Sequence, residues 1–263
     1  MLLGLEGKNV LVTAASKGLG FATAMAYAKE GANVMLSSRS EEQLITALEK
    51  IQSETNNKNV SWFVADVSDF AQIKALFEKT SETFGTVDVL INNAGGPPAG
   101  DFLSTDEEGW NLAFQLSLMS VVRACKLAIP DMIDKKWGRI VNFTSSSMKQ
   151  PIENLILSNT FRTAVAGLSK SLALELGQHG ILVNAIGAGR ISTDRVRQLD
   201  TLKANAAGLT LEEIRHHSEC QIPMQRYGTP EEFANLAVFL GSEANGYITG
   251  QLTLVDGGFV KAL

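Results

Sequence analysis

Residues 13–20 read Thr13-Ala14-Ala15-Ser16-Lys17-Gly18-Leu19-Gly20, and this glycine-containing turn is the most informative segment of the chain. It follows an apolar, β-branched run at 9–13 and leads into a helical pattern at 19–30. Gly18 allows the backbone to approach a pyrophosphate, and Gly20 allows the helix to pack close to a sheet. Because the first turn of a helix also offers unpaired N–H groups, the segment predicts a phosphate-binding site for a dinucleotide.

Outward from this turn, short apolar runs alternate with longer helical patterns. The predicted strands are 9–13, 33–37, 60–64, 87–91, 139–143, 181–185 and 252–255, and the first three predicted helices are 19–30, 41–54 and 69–83. Strands interleaved with helices form a parallel sheet that helices cover on both faces. We therefore expect an α/β, doubly wound Rossmann fold with a seven-stranded parallel sheet and helices on both faces.

A basic residue follows the second predicted strand, where dinucleotide-binding folds distinguish their cofactors. An acid at this position binds the ribose 2′-OH, whereas an Arg accommodates a 2′-phosphate. The segment here is Leu36-Ser37-Ser38-Arg39-Ser40, which contains no carboxylate. Arg39 can pair with a phosphate through its fork of donors, and Lys17 adds a second positive charge. We therefore expect NADP(H) to be preferred over NAD(H).

No linker, repeat or low-complexity stretch divides the chain. Residues 1–263 are therefore expected to form a single NADP(H)-binding Rossmann domain. The segment 194–222 is long, helical in pattern and more charged than its surroundings. It fits a helical, lid-like insertion over a pocket for a small-molecule substrate.

The composition is that of an ordinary globular protein. The chain is 45% hydrophobic and 19% charged, with a net charge of −5, which gives no electrostatic case for nucleic acid or an anionic membrane. No run of about 18 apolar residues is present, so no membrane span is expected, and the start lacks a basic segment followed by an apolar run. A cytoplasmic location is the expectation. Cys125 and Cys220 have no metal-ligand spacing with the histidines, so no metal is expected.

Two helical segments, 112–133 and 161–176, carry more apolar residues than one core-facing stripe requires. A helix that is apolar on most sides is buried on most sides. Either other parts of the chain cover these segments or a second subunit does. We favour the subunit, and therefore expect a homo-oligomer.

Several further motifs resemble those of the short-chain dehydrogenase/reductase family, across nearly the whole chain. The family's TGxxxGxG turn corresponds to residues 13–20, with Ala14 in place of the first Gly. The remaining matches are Asp66-Val67, Asn92-Asn93-Ala94-Gly95, Gly138-Arg139-Ile140-Val141-Asn142, Val183-Asn184-Ala185, the loop with Gly189 and Thr193, Thr249-Gly250-Gln251 and Val255-Asp256-Gly257-Gly258. In the loop before Gly189, Ala188 replaces the usual Pro. The nearest members in appearance are the β-ketoacyl-carrier-protein reductases, and the family suggests a homotetramer or dimer.

The resemblance also implies which residues bind the cofactor. They are Thr13, Ala15, Ser16, Lys17, Gly18, Leu19, Gly20, Arg39, Asp66, Val67, Asn93, Ala94, Gly95, Arg162, Gly189, Ile191 and Thr193.

The catalytic positions of the family are occupied differently in this chain. The family's Ser corresponds to Ser145, but its Tyr and Lys correspond to Ser158 and Arg162, and its Asn corresponds to Ser117. An aliphatic hydroxyl is a far weaker acid than a phenol, whose pKa is about 10. Arg162 keeps the positive charge and can bond ribose hydroxyls, but it does not give up its proton near neutral pH. Activity by the family's usual route is therefore expected to be weak or absent.

Other residues that have suitable chemistry lie elsewhere in the chain. Lys149, Glu153, His216 and His217 are candidates for proton supply, although a solvated surface position is the better expectation for each. Arg190, Arg195, Arg197 and Arg215, in or beside the insertion, hint at an anionic substrate. Carboxylates are interspersed among them, which favours an ordinary mixed-charge surface.

Two functions remain open on the sequence alone. The first is an NADP(H)-dependent oxidoreductase that acts on a carbonyl or alcohol with non-standard acid–base residues. The second is a dinucleotide-binding protein without redox turnover, acting as a sensor or an assembly partner. The glycine-containing turn and Ser145 favour the first, whereas Ser117, Ser158 and Arg162 favour the second.

Overall fold

The computed structural model describes residues 2–262, and its strands form a sheet in which all neighbours run parallel. The strands are β1 (Asn9–Val12), β2 (Asn33–Ser38), β3 (Val60–Val64), β4 (Val89–Asn92), β5 (Gly138–Ser145), β6 (Ile181–Ala188) and β7 (Leu252–Val255). Their order across the sheet is β3-β2-β1-β4-β5-β6-β7. The predicted doubly wound fold with a seven-stranded parallel sheet is confirmed.

Helices cover both faces of this sheet. They are α1 (Gly18–Lys29), α2 (Glu41–Thr55), α3 (Phe70–Phe84), α4 (Glu107–Phe114), α5 (Ser120–Lys135), α6 (Ile156–Leu176), α7 (Asp194–Ala207), α8 (Leu211–Cys220) and α9 (Pro230–Leu240). Successive side chains of a strand point to opposite faces. Val10 and Val12 therefore pack in a core with α1, α2 and α9, whereas Leu11 packs in a second core with α3, α5 and α6.

The fifth and sixth strands extend further than their apolar runs predict. β5 continues for two residues beyond its predicted end at 143 and β6 for three beyond 185, because main-chain pairing continues through mostly polar and small side chains. The register aligns Ser145 with Ala188 at the carboxyl edge of the sheet. This extension places Ser145 at the edge where ligands of open α/β sheets bind.

Residues 107–135 form one continuous helical run that corrects part of the sequence analysis. The run joins α4 and α5 through a π-helical turn at Gln115–Met119, and an 18-residue stretch of it has a mean hydropathy of 1.5, so that by length and composition alone it is long and apolar enough to cross a membrane. The expectation that nothing spans a membrane had rested on the lack of such a segment. In the structure, Val121, Ala124 and Met132 of this run are buried in the core against the sheet, which accounts for part of its apolar character.

The segment predicted as an insertion forms α7 and α8. Thr193 caps α7 by accepting a hydrogen bond from Val196 N, and Thr210 and Glu213 form a capping box on α8. Within α7, the buried carboxylate of Asp200 pairs with Arg190 and accepts a hydrogen bond from Tyr227 Oη. This network joins the insertion to the segments on either side of it in the sequence.

Candidate functional site

The turn after β1 is hydrogen-bonded to the turn after β4. Thr13 Oγ1 donates to Asn93 O at 2.7 Å and accepts from Asn93 N at 2.8 Å, and Asn93 Nδ2 donates to Ala14 O at 3.2 Å. Strand order reverses between β1 and β4, and ligands of doubly wound sheets bind in the crevice at that point. The predicted cofactor residues Thr13 and Asn93 therefore lie at the expected position in the fold.

Gly20 and Ala14 determine the shape of this turn. A Cβ at Gly20 would lie 2.8 Å from Asn93 Nδ2 and would overlap the carbonyl oxygen of Ala14. Only glycine allows α1 to pack this close to the turn. Ala14 has a φ of +47°, a left-handed conformation that favours glycine, the residue the family usually has there. The turn thus has a glycine-like backbone conformation at Ala14, with strain because this residue carries a Cβ.

The amino terminus of α1 lacks a side-chain cap. Its N-cap residue is Lys17, no side chain accepts a hydrogen bond there, and the first turn holds no acidic residue. By contrast, α2 and α3 are capped by Ser40 and Asp69. The N–H groups in the first turn of α1, together with the positive end of the helix dipole, are therefore available to an anion such as a phosphate.

Arg39 and Lys17 lie at the surface beside this turn. The Arg39 side chain is 78% exposed, and its guanidinium is 3.9 Å from the Asp66 carboxylate. Lys17 Nζ is 3.8 Å from the Asp194 carboxylate, and both of these side chains are also largely exposed. Exposed ion pairs at such distances contribute little stability. Either cation can therefore turn to a phosphate at small cost.

The loop after β6 lies against the glycine-containing turn. The side chain of Thr193 is 3.6 Å from where a Cβ of Gly18 would stand. Gly189 N donates to Val255 O at 3.0 Å, and Ile191 is buried. On the other side, Val67 and Ala94 line a small cavity together with Thr13 and Asn93. The structure thus brings residues from four predicted cofactor segments into contact.

Ser145 and Ser158, the candidates for the reaction itself, lie on β5 and α6. Ser145 ends β5, and its Oγ accepts a hydrogen bond from Ser147 N at 3.1 Å, which leaves its own hydrogen free to be donated. Ser158 is half-buried in the first turn of α6. The loop between them contains the short 3₁₀ turn Ser146–Met148, on which α6 packs.

Arg162 is a buried cation one helical turn beyond Ser158. It is only 7% exposed, and its two terminal nitrogens donate to Phe143 O at 2.9 Å and to Ala94 O at 3.2 Å. Burial, with a smaller effect from the charge of Arg195, lowers the pKa of Arg162 to about 10. The side chain therefore stays charged at neutral pH and joins β5 to the loop after β4.

Ser117 lies on the π-helical turn and is fully buried. Its hydroxyl has no hydrogen-bond partner among the residues that the structure describes. It lines a cavity of about 10 Å³ together with Arg162, Asn92 and Thr13. That volume is close to what one water molecule needs, and a water there would satisfy the Ser117 hydroxyl.

The tyrosine hydroxyls of the chain are either bonded to other segments or exposed. Tyr27 Oη donates to Ala237 O and Tyr227 Oη donates to Asp200, while Tyr247 is 98% exposed. The candidates for proton supply are also exposed, and they are Lys149, Glu153, His216 and His217. His216 contacts Cys220 of its own helix. Among residues 2–262, no group of three or more His, Cys, Asp or Glu side chains could hold a metal ion.

The arginines in and beside the insertion are not equivalent. Arg190 pairs with Asp200, Arg215 pairs with Glu219, and Arg197 is exposed. Arg195 instead reaches the loop after β4, where it donates to Pro97 O at 2.7 Å. An ordinary charged surface was the expectation from the sequence, and Arg195 departs from it. No sequence signal distinguishes it, because its partner lies 98 positions away in the chain.

Comparison with known proteins identifies the family of this chain. The family model described as enoyl-(acyl carrier protein) reductase matches residues 13–260. The chain is 34% identical to the oxidoreductase UcpA of Salmonella typhimurium over 97% of this chain and 95% of that protein. It is 33% identical to the 3-oxoacyl-[acyl-carrier-protein] reductase FabG of Thermotoga maritima over 97% and 99%.

A solved structure is also similar over its full length. The L-sorbose reductase of Gluconobacter frateurii, complexed with NADPH and L-sorbose, has a TM-score of 0.94 and 30% identity, with 100% of each chain covered. The fold and the sequence similarity therefore indicate the same family. The chain belongs to the short-chain dehydrogenase/reductase family.

Proposed function

We propose that this protein is an NADP(H)-dependent oxidoreductase that interconverts a carbonyl and an alcohol with non-standard acid–base residues. The observation that carries the proposal is the uncapped amino terminus of α1, next to Lys17 and Arg39. These features provide helix N–H groups for a pyrophosphate and two exposed cations for a 2′-phosphate. The NADPH in the structure of the similar L-sorbose reductase supports the same cofactor here.

The cofactor would be held by the residues already placed around the crevice. The turn at 15–20 and Thr193 would hold the pyrophosphate, and Arg39 with Lys17 the 2′-phosphate. Asp66 and Val67 would lie beside the adenine, and Asn93, Ala94 and Gly95 along the middle of the cofactor. Gly189 and Ile191 would lie beside the nicotinamide, and Arg162 beside the ribose. The insertion at 194–222 would then act as a lid over the substrate.

Bound NADPH supplies a hydride, and this chain must stabilise the negative charge that develops on the substrate oxygen. Ser145 can donate a hydrogen bond to that oxygen, because its Oγ already accepts one from Ser147 N and its own hydrogen is free. Ser158 would add a second hydroxyl, and Arg162 would hold a fixed positive charge nearby. None of these groups is a phenol, and loss of general acid catalysis typically costs about 10²–10⁴-fold in rate. We therefore expect slow turnover.

Binding without turnover is the alternative, and one observation favours it. The terminal nitrogens of Arg162 donate to Phe143 O and Ala94 O, so this residue is built into the backbone framework. A dinucleotide-binding protein that acts as a sensor or an assembly partner would need no more than this. The two functions share the cofactor and differ only in hydride transfer.

Two assays separate these functions. We expect NADPH to bind, as followed by its fluorescence, and its oxidation to proceed slowly with at least one member of a panel of ketones and aldehydes. Binding with no oxidation across the panel would contradict the reductase and leave the binding protein. Ser145→Ala should abolish the residual oxidation without changing the NADPH dissociation constant.

We also propose that the protein is a homotetramer or dimer that acts in the cytoplasm. Exposed apolar side chains on α4 and α6 support the assembly, among them Leu112 at 52% and Leu174 at 77% exposed. Such residues gain free energy when a second subunit covers them. A monomer in analytical ultracentrifugation at micromolar concentration would contradict the assembly.

A further inference from the structure

Arg195 and Arg162 donate hydrogen bonds to the same short loop. Arg162 bonds Ala94 O and Arg195 bonds Pro97 O, and these acceptors are three residues apart in the loop that follows β4. Between them, the Arg195 Nε lies 3.1 Å from where a Cβ of Gly96 would stand. Two guanidinium groups therefore flank residues 94–97 at the carboxyl edge of the sheet.

Neither guanidinium has a carboxylate partner within the part of the chain that the structure describes, whereas Arg190 and Arg215 each have one. Arg162 uses two N–H groups on backbone carbonyls, and Arg195 uses two on Pro97 O and the Gln198 side chain. An arginine has more N–H donors than these, so each retains donors for a ligand.

Two cations that lie beside the same short loop and have no carboxylate partner repel each other unless an anion binds. Arg162 is buried, and buried charges in proteins are usually paired. Arg195 is half-buried, and burial lowers its pKa below the ordinary arginine value; its charge in turn contributes to the lowered pKa of Arg162. An anion that binds between them would relieve both the repulsion and the desolvation.

We propose that the substrate of this enzyme carries a carboxylate, which Arg195 binds and which the charge of Arg162 helps to attract. This inference rests on the proposed function, because it places a keto acid or hydroxy acid beside the nicotinamide site. The planar fork of an arginine matches the two oxygens of a carboxylate. The rival role for Arg195 is to bind the pyrophosphate of the cofactor, and the experiment must separate the two.

The test measures binding without turnover. Protein saturated with NADP⁺ is titrated with three keto acids and their methyl esters: pyruvate, acetoacetate and levulinate. Oxidised cofactor has no hydride to give to a ketone, so only binding is observed. At least one acid should bind about ten- to a hundredfold more tightly than its ester, the range expected for hydrogen bonds to charged groups.

Matched variants assign the effect to Arg195. Arg195→Gln should bring the acid to the affinity of its ester, and Arg195→Lys should keep part of the preference. Arg197→Gln removes the same charge from an exposed position on α7 and should leave the preference intact. Thermal unfolding of each variant confirms that it is folded. If Arg195→Gln does not fold, Arg195→Lys still tests the inference.

Three results would overturn the inference. The first is equal binding of every acid and its ester, and the second is no binding of any acid to the NADP⁺-loaded protein. The third is that Arg195→Gln weakens the binding of NADP⁺ and leaves the preference for the acid unchanged. Failure of the proposed function is distinguishable, because it appears as no NADP⁺ binding by the wild-type protein or as no oxidation of NADPH in the separate assay.

Discussion

The amino terminus of α1 and the first turns of α6 lie at the same edge of the sheet, but they relate differently to the family pattern. Around α1, the helix lacks a side-chain cap, Ala14 has a left-handed φ, and two cations are exposed nearby, which are features that suit a phosphate. Around α6, the resemblance places Ser158 and Arg162 where the family has Tyr and Lys. The comparison therefore predicts that cofactor binding is kept while the means of moving a proton differs.

The largest expected effect tests the α6 side of this comparison. Ser158→Tyr combined with Arg162→Lys should raise the rate of NADPH oxidation by about 10²–10⁴-fold, because a phenol near an ammonium can donate the proton that Ser158 cannot. The measurement is steady-state oxidation with the best ketone of the panel.

A matched control gives this result its meaning. Ser158→Phe with Arg162→Lys adds the same ring without the hydroxyl, and it should show no gain. Equal rates in the Tyr and Phe variants would indicate that Ser117 or the pocket, and not the missing phenol, limits the reaction.

An intermediate effect tests the α1 side. Gly20→Ala places a methyl group against Ala14 O and Asn93 Nδ2, and overpacking of this kind costs about 1–3 kcal/mol of unfolding free energy. NADPH binding should weaken as well, because the turn must shift. Gly167→Ala is the control, since it lies exposed within α6 with nothing near its Cβ position.

These two helix glycines should respond in opposite directions. Gly167→Ala should stabilise the protein by roughly 0.5–1 kcal/mol, because alanine is the better helix former. Chemical denaturation measures both variants. A Gly20→Ala protein as stable as the wild type, with unchanged NADPH affinity, would contradict the close packing described for this turn.

The smallest effect concerns the strain at Ala14. Ala14→Gly should raise the unfolding free energy by up to about 1 kcal/mol, because glycine adopts the observed φ of +47° without a steric penalty. Ala15→Gly is the neighbouring control and should lower stability, since Ala15 is buried at a negative φ. Denaturation midpoints that move together in the two variants would argue against strain at Ala14.

Local features of the sequence were sufficient to predict the fold and to indicate which loops at the sheet edge carry the candidate site residues. The strands were visible as β-branched runs, and Gly18 and Gly20 identified the first turn, because both signals lie within a few neighbouring residues. The ends of β5 and β6 were missed, since pairing there continues through polar and small residues.

Side-chain partners that are distant in sequence were not predictable. Arg162 donates to Ala94 O across 68 positions, and Arg195 donates to Pro97 O across 98. Nothing near Arg195 in the sequence distinguishes it from Arg197. Only the folded chain shows which of them reaches the loop after β4. The π-helical turn that carries Ser117, which packs against α6, was likewise not predicted.

The most direct test of the cofactor site is a calorimetric titration of the wild-type protein with NADPH and with NADH, repeated on Arg39→Asp. We predict that NADPH binds more tightly than NADH, and that Arg39→Asp weakens NADPH by at least about tenfold while NADH changes little. No heat from either nucleotide on well-folded protein would contradict both proposed functions, and equal weakening of the two would contradict the role of Arg39.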